Sequence, residues 1–151
     1  MKAVLTFEVI GLPKPAGSKR GFAIRKNGQL TGRVAVVDAC QESREWKTVV
    51  AREAAITMNE RRQMFTGPLR LRLSFRMPRL KGHFGTGRNA NVLKANAPAR
   101  PTVKPDLLKL ARAVEDALTG IVWRDDAQIV IEELEKLYGS CPGCRIEIEE
   151  V

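Results

Sequence analysis

The chain has 151 residues and carries 26 Lys and Arg against 17 Asp and Glu, a formal net charge of +9. At this length one domain buries roughly two-thirds of its unfolded surface, so no disulfide staple is required. No apolar run approaches a membrane span, the N-terminus MKAVLTFEVIG lacks a signal-peptide cleavage site, and an odd set of three cysteines suits a reducing compartment, so a cytoplasmic protein is expected.

In chain order, Leu5, Phe7 and Val9 alternate within residues 2–10 and predict a strand. Gly11 to Arg20 follows as a basic-tipped loop, since its two prolines and two glycines exclude a helix or a central strand. Residues 23–25 and 33–37 flank Lys26-Asn27-Gly28 and predict a hairpin, because Asn-Gly readily adopts positive φ. Lys14, Lys19, Arg20, Arg25 and Lys26 lie in this region, and their charge suits either phosphate contact or simple solvation. Trp46, Val50, Ala54 and Met58 recur every fourth residue within residues 43–63, which marks a packing helix. Residues 68–77 predict a strand with Leu69, Leu71, Leu73 and Phe75 on its buried face and Arg70, Arg72, Ser74 and Arg76 on a basic face.

Residues 78–104 show no sustained period. Loops of this length inside a domain are usually functional or disordered. Arg79, Lys81, Arg88, Lys94, Arg100 and Lys104 are interleaved with His83 and Phe84, a mixture able to hold phosphates and stack an unpaired base. Gly82, Gly85 and Gly87 superficially resemble a phosphate-binding pattern but lack the flanking strand and helix. A helix is predicted over 106–119, ended by Gly120. Its core stripe is Leu107, Leu110, Ala111, Val114, Ala117, Leu118 and Ile121. Leu108 falls on the polar side with Arg112 and Glu115, an apolar residue where the pattern expects a polar one. Residues 128–138 mix periods of two and three and are read as a strand, and 145–149 alternate as the last one. Cys141 and Cys144 flank a Pro-Gly turn with no second pair to complete a zinc site, and Cys40 reads as an ordinary small residue. The order of elements predicts a single α+β domain over 1–151, a mixed, mainly antiparallel sheet with two principal helices and the long basic loop 78–104.

Charge is distributed unevenly along this order. Residues 61–105 hold eleven basic residues and no acid, whereas residues 106–151 hold five basic and eleven acidic ones. A basic middle and an acidic end suit a protein that grips a polyanion while presenting carboxylates to a metal. The stretch from Lys104 to Gln128 gathers Asp106, Asp116, Asp125 and Asp126 around one amphipathic helix. Phosphodiester cleavage needs an activated hydroxide and neutralisation of phosphate charge, which hard cations held by carboxylates supply. Asp106 and Asp125/Asp126 could converge if helix and strand pack side by side, with Arg112 offsetting charge on the phosphate. Acidic helix caps and Asp-Asp turns are also ordinary structural features.

Lys104-Pro-Asp, Leu110, Arg112, Asp116-Ala-Leu-Thr-Gly120 and Trp123-Arg-Asp-Asp-Ala-Gln-Ile129 resemble the RusA family of Holliday-junction resolvases, often carried by phages and prophages. The resemblance is closest over residues 103–130 and looser over the N-terminal Pro-Lys-Pro-Ala-Gly-Ser-Lys-Arg loop and the basic loop. It implies a homodimeric endodeoxyribonuclease that binds four-way DNA junctions and makes paired nicks with Mg²⁺ or Mn²⁺. It further implies Asp106 and Asp126 as catalytic metal ligands, Arg112 at a lysine position, and Asp116 or Asp125 as supplementary ligands. Lys14, Lys19, Arg20, Arg79, Lys81, His83, Arg88, Lys94, Arg100 and Lys104 are the expected DNA contacts. The family's second carboxylate falls on Leu108, which cannot ligate a metal. Two alternatives therefore stand beside the endonuclease: a catalytically impaired branched-DNA-binding protein, and a generic RNA- or single-strand-binding domain supported by charge alone.

Overall fold

The structure, a computed structural model, describes residues 2–17, 19–38 and 41–151, with backbone only at 19–21, 36–38 and 41. Cys40 and the side chains of Lys19 and Arg20 lie outside the described residues. The elements are β1 (Val4–Ile10), β2 (Lys19–Lys26), β3 (Gln29–Asp38), α1 (Gln41–Arg61), β4 (Leu69–Met77), α2 (Leu107–Leu118), β5 (Ile129–Tyr138) and β6 (Gly143–Glu150), with short 3₁₀ turns at Lys81–His83, Gly87–Asn89 and Asp126–Gln128.

A four-stranded sheet runs in the order β1-β6-β4-β5, parallel only between β4 and β5, and β2–β3 form a separate ribbon. This is the mixed α+β architecture anticipated from the element order. On the helix side the register aligns core rows across the strands. Phe7, Ile146, Leu73 and Leu134 form one, and Val9, Cys144, Phe75 and Lys136 another. The predicted stripes of α1 (Trp46, Val50, Ala54, Met58) and α2 (Leu110, Ala111, Val114, Ala117, Leu118) are buried with these rows, joined by Ala113. Gly120 ends α2 with φ +85°.

β5 mixes its periods because it is an edge strand whose helix-side positions are only partly covered. Glu132, Leu134 and Lys136 occupy those positions, opposite Leu71, Leu73 and Phe75. Inward charges on an edge strand discourage pairing with another chain.

The basic face of β4 corrects the simplest reading of the charge distribution. Arg70 pairs with Glu149 at 2.9 Å and Glu133 at 3.5 Å, Arg72 with Glu133 at 2.7 Å, and Arg76 with Glu8 at 2.8 Å. Ser74 donates to Glu135 at 2.7 Å. Much of the acidic C-terminal charge thus neutralises the sheet rather than facing a metal. Each such pair, screened by solvent, contributes little by itself, but together they set the register of polar rows.

The Cys-x-x-C thiols point to different environments, Cys141 exposed and Cys144 buried in the core, where burial raises the Cys144 thiol far above its ordinary range. They behave as a turn flanked by two free thiols.

Residues 78–104 close on themselves. Gly85 donates to Val92 O at 3.0 Å and Lys94 to His83 O at 2.9 Å. Lys136 Nζ then donates to the carbonyls of Val103 and Pro105, both at 2.9 Å, tying the segment to the head of α2. Lys136→Met removes both bonds. The expected outcome is a loss of roughly 1–2 kcal/mol in chemical denaturation and faster tryptic cleavage at Arg100 and Lys104; unchanged cleavage would refute the tether.

Candidate active site

The turn between α2 and β5 is held by its own backbone and side chains together with the segment at Phe65 and Gly67. Gly120 N donates to Trp123 O at 2.7 Å, and the buried Trp123 indole donates to Thr119 Oγ1 at 3.0 Å. Phe65, also buried, donates its N–H to Val122 O at 2.9 Å. Gln128 is the central tether. Its Nε2 donates to Phe65 O and Gly67 O at 3.0 and 3.2 Å, while its Oε1 accepts from Arg124 N and Asp125 N at 3.0 and 3.2 Å.

Asp125 completes a capping box by accepting from Ala127 N at 2.9 Å. The Asp-Asp pair therefore divides its work. Asp125 builds the turn, whereas Asp126 is exposed and its carboxylate makes no hydrogen bond or ion pair among the described residues, although its carbonyl accepts from Ile129 N.

Asp126 stands beside an acidic helix–strand face. Glu115 of α2 is hydrogen-bonded to Glu132 of β5, and its carboxyl is pushed up to about 8. Burial is the main cause; the hydrogen bond and charge of Glu132 come next, followed by the charges of Asp126 and Asp116. Glu115 and Glu132 were not among the sequence-derived candidates. Helical spacing had put Glu115 on the polar side with Leu108 and Arg112, but only the register of β5 brings Glu132 to it. Leu108 is 70% exposed, and Arg112 is exposed without an ion pair among the described residues.

Asp106 lies at the other end of α2. It precedes the first helical turn without a capping bond and sits 3.9 Å from Lys109 Nζ. Glu115 is nine positions further along the helix, about 13 Å along the axis. The tether from Lys136 to Pro105 places that end of α2 beside the far end of β5. Asp106 and Asp126 are consequently not brought together. Asp106 instead lines a cavity of about 420 Å³ with Lys14, Lys104, Lys109 and Glu42, a surrounding suited to an anion. Lys109 is a third residue that sequence reasoning missed; its i+3 spacing from Asp106 was the available signal. Asp116 faces α1, where Lys47 Nζ approaches to 3.2 Å, so it clamps the two helices.

Among the described residues no three His, Cys, Asp or Glu side chains form a group that could enclose a metal ion. A pair of carboxylates is nevertheless a normal complement for Mg²⁺, which keeps several waters and takes phosphate oxygens from its substrate. The donor chemistry of Glu115 and Glu132, two hard oxygen ligands side by side with Asp126 nearby, fits such an ion.

The expected DNA contacts divide into engaged and available cations. Lys14 pairs with Glu42 at 3.1 Å and Arg100 with Glu135 at 3.5 Å. Arg79 donates to Pro98 O at 2.8 Å and lies over the Tyr138 ring at 4.4 Å. His83 is half-buried, edge-on to Tyr138 at 5.4 Å, with Nδ1 buried and unpaired, so it anchors the loop from inside. Lys81, Arg88, Lys94 and Lys104 are exposed without ion pairs among the described residues.

A single α+β domain with a carboxylate-bearing helix–strand face and unneutralised basic segments has the components of a metal-assisted phosphodiester chemistry. Residues 14–149 match the family described as endodeoxyribonuclease RusA, and the chain belongs to that family, which comprises nucleases of the Holliday-junction resolvase type. Family members bind branched DNA and are generally dependent on divalent metals. The chain is also 29% identical over 147 residues to the "Uncharacterized protein YqaN" of Bacillus subtilis (strain 168), covering 97% of this chain and 96% of that one. No helix is long and apolar enough to cross a membrane among the described residues.

The raised Glu115 carboxyl has a sign that can be checked. The folded state binds this proton more tightly than the unfolded chain, so the associated stability is complete below about pH 4.5 and is lost as pH rises through about 8. Glu115→Gln should match wild type near pH 4.5 in metal-free buffer and melt about 2–4 °C higher near pH 9, an effect held to this size by solvent screening. Equal melting temperatures at pH 9 would remove the carboxyl pair from the site.

Proposed function

We propose that the protein is a metal-dependent, structure-selective endonuclease that resolves four-way DNA junctions by paired nicks, acting in the cytoplasm as a homodimer. The observation that carries this reading is the α2–β5 face, where Glu115 lies against Glu132 with Asp126 nearby, none of the three in an ion pair among the described residues. The Glu115–Glu132 pair would hold Mg²⁺ or Mn²⁺, with the Asp126 carboxylate nearby adding negative charge to the site. When bound, such an ion supplies a hydroxide nucleophile at neutral pH and neutralises charge on the phosphate.

Arg112, one turn before Glu115 on the same face, offsets charge developing on the phosphate oxygens; as a guanidinium it stays charged and does not serve as an acid. Asp106 orders Lys109 at the lysine-lined cavity, which takes a neighbouring backbone phosphate. Lys81, Arg88, Lys94 and Lys104 extend that grip, so binding should weaken steeply with salt. Asp125 and Gln128 position Asp126.

A labelled four-way junction incubated with Mg²⁺ or Mn²⁺ tests the reading. Symmetrical paired nicks are expected, reduced on the order of a hundredfold in Asp126→Asn and Arg112→Gln with junction binding retained. Sedimentation at micromolar concentration should show a dimer. The exposed leucine at position 108 favours one rival, a junction-binding protein that cuts poorly. Wild type that binds junctions yet is inert with every metal, together with cutting restored by Leu108→Asp, would establish that rival instead.

A further inference from the structure

The outer part of the β2–β3 ribbon, residues 22–34, is exposed on both faces. Phe22, Ile24, Leu30 and Val34 are 53%, 39%, 64% and 64% exposed. The same residues include Arg25, Lys26 and Arg33 and no Asp or Glu. Arg25 donates only to Gly28 O within the turn, at 3.3 Å, and none of the three cations forms an ion pair among the described residues. The contrast with β4 is direct, since the arginines there are matched by glutamates. The ribbon shares no ladder with the main sheet, and a two-stranded ribbon by itself is only marginally stable in water.

Pairing places Ala23 opposite Val34 and Arg25 opposite Leu30, with the register slipping at the intervening residues. Gly32, at φ +74°, supplies the left-handed step within the slipped segment. Each face consequently mixes apolar side chains with cations. Uncovered apolar surface of this kind marks an interaction surface.

The charge selects a polyanion as its partner. Phosphates alone would leave Phe22, Leu30 and Val34 wet, so the surface also calls for base planes. In an intact duplex those planes are stacked; they open where duplex arms meet. A two-stranded ribbon is narrow enough to enter a DNA groove, and apolar side chains inserted between base steps unstack them.

We propose that the β2–β3 ribbon is a branch-point wedge. Phe22, Leu30 and Val34 pack on bases exposed where the arms of branched DNA meet, and Arg25, Lys26 and Arg33 contact the adjacent phosphates. The assignment rests on the junction-binding reading above and places structure selectivity on an element outside the α2–β5 face.

The test compares wild type, Phe22→Ser/Leu30→Ser/Val34→Ser and Arg25→Gln/Lys26→Gln/Arg33→Gln, each checked for folding by thermal melt. Titrations use a four-way junction carrying 2-aminopurine at the branch and a linear duplex of equal length, in Ca²⁺. The serine variant should bind the junction at least about tenfold more weakly, bind linear duplex unchanged, and lose the 2-aminopurine fluorescence rise. The glutamine variant should weaken on both DNAs and show a shallower dependence on salt, by up to roughly three in log–log slope. Wild type with no preference for the junction would overturn the junction-binding reading itself. Junction preference in wild type that survives intact in the serine variant would overturn the wedge alone. A serine variant that changes sedimentation state without changing DNA selectivity would likewise overturn it, assigning the ribbon to contact with a second copy.

Discussion

β4 carries two rows that must be satisfied in opposite ways, and most of the molecule is arranged by that demand. Its leucines and Phe75 face the helices and are fully buried. Its arginines face the other side, where unmatched guanidiniums at alternate positions of the one strand would repel one another. Glutamates from β5, β6 and β1 answer them within 2.7–2.9 Å at the closest contacts. Burial supplies the cohesion and the ion pairs supply the register, because a one-residue slip would turn both rows to the wrong face.

This demand also decides which charges are left for nucleic acid. Glutamates at 133, 135, 147 and 149 serve the sheet, so the carboxylates left facing the helix side are Glu115, Glu132 and Asp126. In the same way the arginines of β4 are spent inside the sheet. Among the described residues, cations without acidic partners include Arg25, Lys26 and Arg33 of the ribbon, Lys81, Arg88, Lys94 and Lys104 of the segment 78–104, and Arg112 of α2. A raw excess of positive charge would have pointed equally to all of them; pairing separates structural charge from available charge.

The α2–β5 turn supplies the rigidity that a site needs. Trp123, Phe65 and Gln128 hold its backbone by hydrogen bonds from both sides. Asp125 satisfies the exposed N–H groups of the short turn that follows. Asp126 is thereby presented by a framework in which its neighbours are already committed. An acidic residue placed this way keeps its orientation without needing a partner of its own.

The helices, the alternation of β4, the Asn-Gly hairpin and the glycine stop after α2 were legible in the sequence, because they depend on local periodicity and on backbone conformations that few residues tolerate. The family motif from Lys104 to Ile129 was legible for the same reason: its residues are close in the chain. The partner of Glu115 was not legible. Glu132 lies seventeen positions away on an edge strand, and only the parallel register of β5 on β4 turns it toward α2. The separation of Asp106 from Asp126 was equally hidden, since it follows from the antiparallel run of α2 against β5. Sequence by itself determined which elements form and which residues are chemically able; tertiary structure decided which of those able residues meet, because register and packing direction are properties of paired elements and of no single one.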